Sequence, residues 1–176
     1  MIIALSANTH MPSKTRALLE TLVGTFEAVS GLPVQVHDLV VHGRQMGACY
    51  QKGELDASSR ALVESIEQAE GLIVTSPVYK GSYSGLFKHV FDLVDPLSLR
   101  NKPVLLGATG GGLRHALMVE HQMRPLFGFF GAHTVPTAVY ASDSEFVDGR
   151  CVDPLLLARC REAVGEFIAL YRGAIA

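Results

Sequence analysis

Residues 71–85 place a short apolar stretch directly before a loop rich in hydroxyl groups. Leu72, Ile73 and Val74 form a continuous apolar run, which is typical of a strand covered on both faces. Apolar residues then recur at helical spacing from Leu86 to Val94. The loop between them holds hydroxyl, aromatic and turn-forming residues: Thr75, Ser76, Pro77, Tyr79, Lys80, Gly81, Ser82, Tyr83, Ser84 and Gly85. Parallel sheets bind ligands in such loops, although Pro77 and Gly81 also suit an ordinary turn.

A second loop with binding chemistry follows an apolar start at residues 1–6. It combines short hydrogen-bonding side chains, positive charge and the start of an amphipathic helix, in Asn8, Thr9, His10, Ser13, Lys14, Thr15 and Arg16. Backbone N–H groups at a helix N-terminus bind anions, so this loop is predicted to bind a phosphate. The alternative is a helix that Ser13 caps without any ligand.

A third loop follows the apolar residues 103–108 and contains Thr109, Gly110, Gly111 and Gly112. Consecutive glycines allow a flat ligand to approach the backbone closely. A dinucleotide fingerprint of the GxGxxG type is a weak interpretation, because His115 stands at the third glycine position and the loop follows the fourth predicted strand.

Strands and helices alternate along the chain, which predicts a three-layer α/β sandwich with a five-stranded parallel sheet. The other strands are expected at residues 33–39 and 134–140, with Pro136 indicating an edge strand. Helices are expected at residues 14–29, 58–70, 84–95, 113–130 and 154–171. Pro125 is expected to kink the fourth of these helices or to widen it locally. Residues 40–57 are predicted to be an irregular surface segment. Asp143 and Asp148 are predicted to lie in a solvated loop rather than to act as an acid–base pair, since no nucleophile is near them.

Composition limits the class of protein. At 176 residues the chain is expected to be one domain, residues 1–176. A net charge of −2 argues against a nucleic-acid binder, and no apolar stretch is long enough for a membrane span. The three cysteines and seven histidines lack metal-binding spacing, so no metal site is expected. A cytoplasmic protein with reduced thiols is the resulting expectation, with Cys160 in the core.

The segment PVYKGSYSGLFKHVFD, residues 77–92, resembles the PxYxxSxSGxLKxxxD segment of the NAD(P)H-dependent FMN reductases. These are flavodoxin-like proteins, and the resemblance is closest to the reductases that serve two-component alkanesulfonate monooxygenases. It implies the strand order 2-1-3-4-5, FMN with NADPH or NADH as cofactors, and assembly into dimers or tetramers. It also implies that reduced FMN passes to an FMNH2-dependent monooxygenase, in organosulfur metabolism.

The resemblance also assigns roles to residues. Pro77, Val78, Tyr79 and Lys80 would border the flavin ring, with Ser84 capping the next helix and making a secondary contact. Thr109, Gly110, Gly111 and Gly112 match a loop that lies along the ring. No acid–base residue is needed, because the flavin carries the chemistry.

The phosphate loop departs from the family's GSxRxxSxT pattern. Ser13 and Thr15 match, but Ala7, Asn8, Thr9 and His10 replace the frequent Gly-Ser-Pro-Arg. Loss of the arginine removes a bidentate donor to phosphate, so FMN is predicted to bind loosely and to exchange.

His121 occupies the position at which related reductases often insert an aromatic residue into a π-bulge at a subunit interface. The resemblance therefore predicts an interface role, and the alternative is a partly buried, hydrogen-bonded histidine. Two other activities stay open on the same fold. One is a quinone or azo-compound reductase that retains FMN, and the other is a flavodoxin-like electron carrier, although such carriers are usually more acidic.

Overall fold

The computed structural model describes residues 1–175. Eight strands occur in chain order: β1 (Ile2–Ser6), β2 (Val34–Asp38), β3 (Gly71–Pro77), β4 (Pro103–Gly110), β5 (His133–Thr134), β6 (Val139–Ser142), β7 (Phe146–Val147) and β8 (Arg150–Cys151). The α-helices are α1 (Lys14–Ser30), α2 (Leu39–Met46), α3 (Ala57–Gln68), α4 (Gly85–Asp92), α5 (Arg124–Phe129) and α6 (Pro154–Ile175). Short 3₁₀ turns cover Lys52–Glu54, Leu113–His115 and Asp143–Glu145, and a π-helix covers Val119–Met123. Among the helices of residues 1–175, none has both the length and the apolar character needed to cross a membrane.

The main sheet is parallel and has the order β2-β1-β3-β4-β5, with β6 also pairing with β4. The predicted architecture and strand order are therefore confirmed. The central strands β1, β3 and β4 are buried almost throughout, because helices cover both faces of the sheet. β7 and β8 form a separate antiparallel hairpin.

Two apolar cores lie on opposite faces of the sheet. Helices α1 and α6 form one of these cores together with Ile2 and Ala4 of β1. Phe26 contacts Phe167 there edge to face, with ring centroids 5.6 Å apart. The other core contains residues of α2, α3, α4 and α5, and Phe91 contacts Phe127 there at 4.9 Å between centroids. Cys160 lies in the first core, as predicted.

The predicted fifth strand, residues 134–140, is wrong as one continuous element. β5 pairs with β4 only at His133 and Thr134, and pairing resumes at Val139 of β6. Pro136 has no N–H to donate to a neighbouring strand, and side chains form hydrogen bonds with the backbone groups of the interrupted stretch instead. The Arg124 guanidinium donates to the carbonyl oxygens of Val135 and Pro136 at 2.8 and 3.1 Å, while the Thr137 N–H donates to the Glu166 carboxylate at 2.7 Å.

The prediction of an irregular segment at residues 40–57 is also wrong, because α2 occupies its first part. The Asp38 carboxylate caps this helix by accepting the Val40 N–H at 3.0 Å. Gly43 lets α2 approach α4, since a Cβ at this position would lie 2.8 Å from Leu86 Cδ1. This glycine therefore serves close helix packing rather than interrupting the helix.

Residues 113–130 are not one continuous helix. A 3₁₀ turn, the π-helix and α5 follow one another, and Pro125 is the second residue of α5, directly after the π-helix. The helix is locally widened just before Pro125, which is one of the two predicted alternatives, and the π-helix implied by the resemblance contains His121. His121 is exposed rather than partly buried.

Candidate functional site

A cavity of about 300 Å³ opens at the carboxyl ends of β1, β3 and β4. The three loops expected to bind a ligand meet here, together with the turn after β6. The cavity is lined by Asn8, His10, Pro12, Ser13, Lys14, Thr15, Pro77, Val78, Tyr79, Thr109, Gly110, Gly111 and Asp143. Of the predicted site residues, Lys80, Ser84 and Gly112 are not part of this lining.

The N-terminus of α1 supplies hydrogen-bond donors at one end of the cavity. Ser13 is extended, and its hydroxyl accepts the Arg16 N–H at 3.2 Å, which makes it the N-cap. The N–H groups of Lys14 and Thr15 lie in the first turn and have no acceptor within the helix. Together with the Lys14 ammonium group, they form an anion-binding corner.

Asn8 holds the first loop in shape. Its side chain is fully buried, and its Oδ1 accepts the Ser6 hydroxyl at 2.5 Å while its Nδ2 donates to the His10 carbonyl at 3.0 Å. Both ends of the amide are thus engaged within the loop. Asn8 therefore positions the loop backbone, and the exposed His10 side chain lies at the rim.

Two buried threonines join the loops beneath the cavity. Thr15 Oγ1 lies 2.6 Å from Thr109 Oγ1, so one hydroxyl donates to the other and a second proton remains for another acceptor. The Thr75 hydroxyl donates to the Thr15 carbonyl at 3.2 Å. The start of α1 is thereby tied to both β3 and β4.

The loop after β3 is a tight turn rather than an open segment. Tyr79 and Ser82 exchange backbone hydrogen bonds of 2.8 and 3.1 Å around Lys80 and Gly81, whose φ angles are 54° and 85°. Two positive φ angles at the central positions are typical of a type I′ turn. The Tyr79 hydroxyl lies 3.2 Å from Thr9 Oγ1, which joins this turn to the first loop.

Ser84 is buried behind the cavity. Its hydroxyl donates to the Ala7 carbonyl at 3.2 Å and accepts the Phe87 N–H at 3.3 Å. Ser84 therefore caps α4, as predicted, and connects it to the first loop.

The glycine loop depends on Tyr140, which the sequence did not single out. A Cβ at Gly110 would overlap the Tyr140 hydroxyl, and this hydroxyl donates to the Gly112 carbonyl at 2.5 Å. Burial, followed by the nearby carboxylates of Asp143 and Glu145, raises the pKa of Tyr140, so the phenol stays a donor. Gly111 has open space beside it, its closest neighbour being Asp143 Oδ2.

Asp143 is a cavity residue that the sequence reasoning placed in a solvated loop. The ammonium group of Lys14 lies 2.9 Å from Asp143 Oδ1 and 3.4 Å from the Asp143 carbonyl oxygen. Asp143 begins a 3₁₀ turn that a capping box holds, because the Ser142 N–H and hydroxyl donate to the Glu145 carboxylate at 2.5 and 2.7 Å. The Ser-x-x-Glu pattern at residues 142–145 was a sequence signal for this turn.

Comparison with known proteins identifies the family. The NADPH-dependent FMN reductase family model matches residues 1–146. The chain belongs to this family. An NADH-dependent FMN reductase, SfnF, of Pseudomonas fluorescens is 45% identical over 172 residues, which cover 97% of this chain and 91% of the relative. An FMN reductase (NADPH) of Pseudomonas aeruginosa is 43% identical over 174 residues, covering 98% and 92%.

A solved structure extends the likeness to the whole fold. The X-ray structure of an oxidoreductase from Corynebacterium diphtheriae superimposes with a TM-score of 0.83 at 27% identity, covering 98% of this FMN reductase family member and 96% of that chain. The predicted family is therefore confirmed, and with it the class of NAD(P)H:FMN oxidoreductase. The two relatives are named for different nicotinamides, so the likeness leaves NADH and NADPH equally open.

The cavity has the donor set that this family's cofactor requires. A phosphate monoester needs several donors and positive charge, and the first turn of α1 with Lys14 offers both. A flat ring system needs a wall without protruding side chains, and Gly110 and Gly111 line the cavity with backbone alone. The residues present therefore fit FMN.

Proposed function

We propose that the chain, as one domain, transfers hydride from NADH or NADPH to FMN and releases reduced FMN. One observation carries the proposal: the anion-binding corner at Lys14 and the glycine wall at residues 110–111 face one cavity. The membership of the FMN reductase family supports the same activity.

Bound FMN supplies the redox chemistry, because its ring system accepts a hydride from reduced nicotinamide. The chain's own residues bind and orient. Ser13, Lys14 and the first N–H groups of α1 would hold the phosphate. Residues 77–79 would border the ring system, and residues 109–111 would lie along it. Lys80, Ser84 and Gly112 would act from behind the wall, by keeping these loops in place.

The activity is tested by steady-state oxidation of NADH and NADPH with dialysed protein, with and without added FMN. Oxidation that requires FMN and saturates with it supports the proposal. A protein that stays yellow and oxidises nicotinamide only when a quinone or dye is added is instead a reductase that retains FMN. If neither nicotinamide is oxidised under any of these conditions, the chain is a flavodoxin-like electron carrier.

FMN is proposed to exchange with solution rather than to stay bound. The position of the usual arginine is His10, which lies exposed at the rim, so the phosphate has fewer charged donors than the family pattern offers. Absorbance at flavin wavelengths after extensive dialysis measures retention. Stoichiometric FMN after dialysis contradicts exchange.

Reduced FMN is proposed to pass to an FMNH2-dependent monooxygenase of organosulfur metabolism, in the cytoplasm. The support is the resemblance of residues 77–92 to reductases of alkanesulfonate systems, together with the likeness to SfnF. A coupled assay with such a monooxygenase measures sulfite release. The proposal requires release that depends on this chain at limiting FMN, and equal rates with an unrelated flavin reductase argue against a dedicated partnership.

Assembly into a dimer or a homotetramer is proposed through the π-helix. His121 and the apolar residues Pro125, Phe129 and Phe130 line a surface cavity of about 430 Å³. Phe129 is 73% exposed, which is unusual for a large aromatic residue. The substitution His121→Ala should lower the oligomeric mass measured by light scattering and change flavin transfer, and the interface role is wrong if both stay the same.

A further inference from the structure

We propose that Asp143 competes with the phosphate of FMN for Lys14 and thereby keeps the flavin exchangeable. The inference rests on the proposed function, because it concerns the same cavity. Lys14 Nζ lies 2.9 Å from Asp143 Oδ1, and both residues line the cavity. The cation that the phosphate needs is therefore already neutralised by a residue of the chain itself.

The position of Asp143 is built into the fold. Ser142 is the last residue of β6 and pairs with Gly110, so the turn that begins at Asp143 is anchored to the wall of the cavity. The capping box of Ser142 and Glu145 fixes the backbone of that turn. Lys14 also donates to the Asp143 carbonyl, which holds the side chain of Lys14 toward this turn.

The charges in the cavity mean that Asp143 opposes binding of the phosphate. Among the described residues that line the cavity, Lys14 is the single lysine or arginine. A phosphate monoester carries a charge of about −1.5 to −2 at neutral pH. A bound phosphate either takes Lys14 away from Asp143 or shares it, and sharing places the carboxylate beside a like charge. Both arrangements weaken binding of the phosphate and leave binding of the ring system unchanged.

The size of the effect follows from exposure. The side chains of Lys14 and Asp143 are 42% and 56% exposed, so water and salt screen the pair. Exposed ion pairs change equilibrium constants a few-fold, and repulsion of the phosphate adds to this. The substitution Asp143→Asn is therefore expected to lower the Kd of FMN about three- to tenfold.

The test is titration of flavin fluorescence or calorimetry on the full-length protein with oxidised FMN and with riboflavin, which lacks the phosphate. We expect Asp143→Asn to tighten FMN and to leave riboflavin unchanged, and the gain to shrink from low to high salt. The matched control is Asp148→Asn, which removes an equal charge at an exposed hairpin position and should change neither Kd. Equal or weaker FMN binding by Asp143→Asn, or equal tightening of riboflavin, overturns the inference.

A double-mutant cycle with Lys14→Met tests whether Asp143 acts through Lys14. Lys14→Met alone should weaken FMN binding, and in its presence Asp143→Asn should give less than half of its usual gain. A full gain without Lys14 overturns the competition. Wild-type protein that binds neither flavin refutes the proposed function as well, whereas binding that is unaffected by Asp143→Asn refutes this inference alone.

Discussion

Thr15 Oγ1 lies 2.6 Å from Thr109 Oγ1, and this buried contact joins the first turn of α1 to the end of β4 directly beneath the cavity. The two residues are far apart in sequence, and each belongs to a different binding loop. A side-chain hydrogen bond thus joins the anion-binding corner to the strand that leads into the glycine wall.

Thr109→Val keeps the shape of the side chain and leaves the Thr15 hydroxyl without this partner. We expect a loss of about 1–2 kcal/mol in the free energy of unfolding, measured with urea, since a buried hydroxyl without a partner is costly. Thr15→Val should cost a similar amount. The double variant should lose less than the sum, because it leaves neither hydroxyl unpaired, and strictly additive losses would contradict a direct bond.

The neighbouring glycines Gly110 and Gly111 are expected to respond differently to alanine. Gly110→Ala places a methyl group on the Tyr140 hydroxyl and should cost about 1–3 kcal/mol of stability, part of which Tyr140→Phe should restore. Gly111→Ala meets open space and should change stability by less than about 0.5 kcal/mol. Its methyl group enters the cavity, so the Kd of FMN should rise about tenfold. Urea unfolding and FMN titration of both variants separate the two roles, and equal losses of stability would contradict this division.

Arg124 stabilises the interrupted edge of the sheet. Its guanidinium contacts both oxygens of Glu120, at 2.6 and 2.9 Å, and donates to the Val135 and Pro136 carbonyls. The Arg124 hydrogen bond also lowers the pKa of Glu120. Arg124→Lys cannot reproduce this planar set of donors and should cost about 1–3 kcal/mol in urea unfolding.

The matched control for Arg124 is Arg172→Lys, in the exposed last turn of α6. It should change the free energy of unfolding by less than about 0.5 kcal/mol. If both lysine variants unfold alike, the guanidinium network does not stabilise the edge.

The sequence predicted those features that depend on local patterns. β3 and β4 are continuous apolar runs, and loops at their carboxyl ends must meet in a parallel sheet, so the cavity followed from the order of elements. The interruption at residues 135–138 did not follow, because it depends on Arg124 and Glu166, which reach it only in the folded chain. α2 was missed because Gly43 suggests irregular structure, whereas it allows close contact with Leu86 of α4, which lies far away in sequence.

Some features of the site could not be predicted either, because they depend on contacts between residues far apart in sequence. Asp143 pairs with Lys14 across 129 positions of sequence, and no local pattern indicates such a pair. The resemblance placed Lys80 at the flavin ring, but Lys80 lies in the type I′ turn and is not part of the cavity lining. The sequence thus predicted which types of residue form the site. The direction of individual side chains depends on the turn conformations, which only the structure shows.

Cys160 gives the fold a measurable sensitivity to alkaline pH. Burial raises the pKa of its thiol to about 12, whereas a cysteine in an unfolded chain has a pKa of about 8.5. Above about pH 8.5 the unfolded chain loses this proton while the folded chain keeps it. The free energy of unfolding is therefore fully retained below about pH 8.5 and falls as the pH rises toward 12. Because of this group, the free energy of unfolding should fall by about 1.4 kcal/mol per pH unit near pH 10.

Urea unfolding between pH 8 and about pH 10 measures this slope. Cys160→Ala should give a flatter pH dependence, although its free energy of unfolding should be lower at every pH. Equal slopes for the wild-type protein and Cys160→Ala would show that Cys160 is not the group responsible.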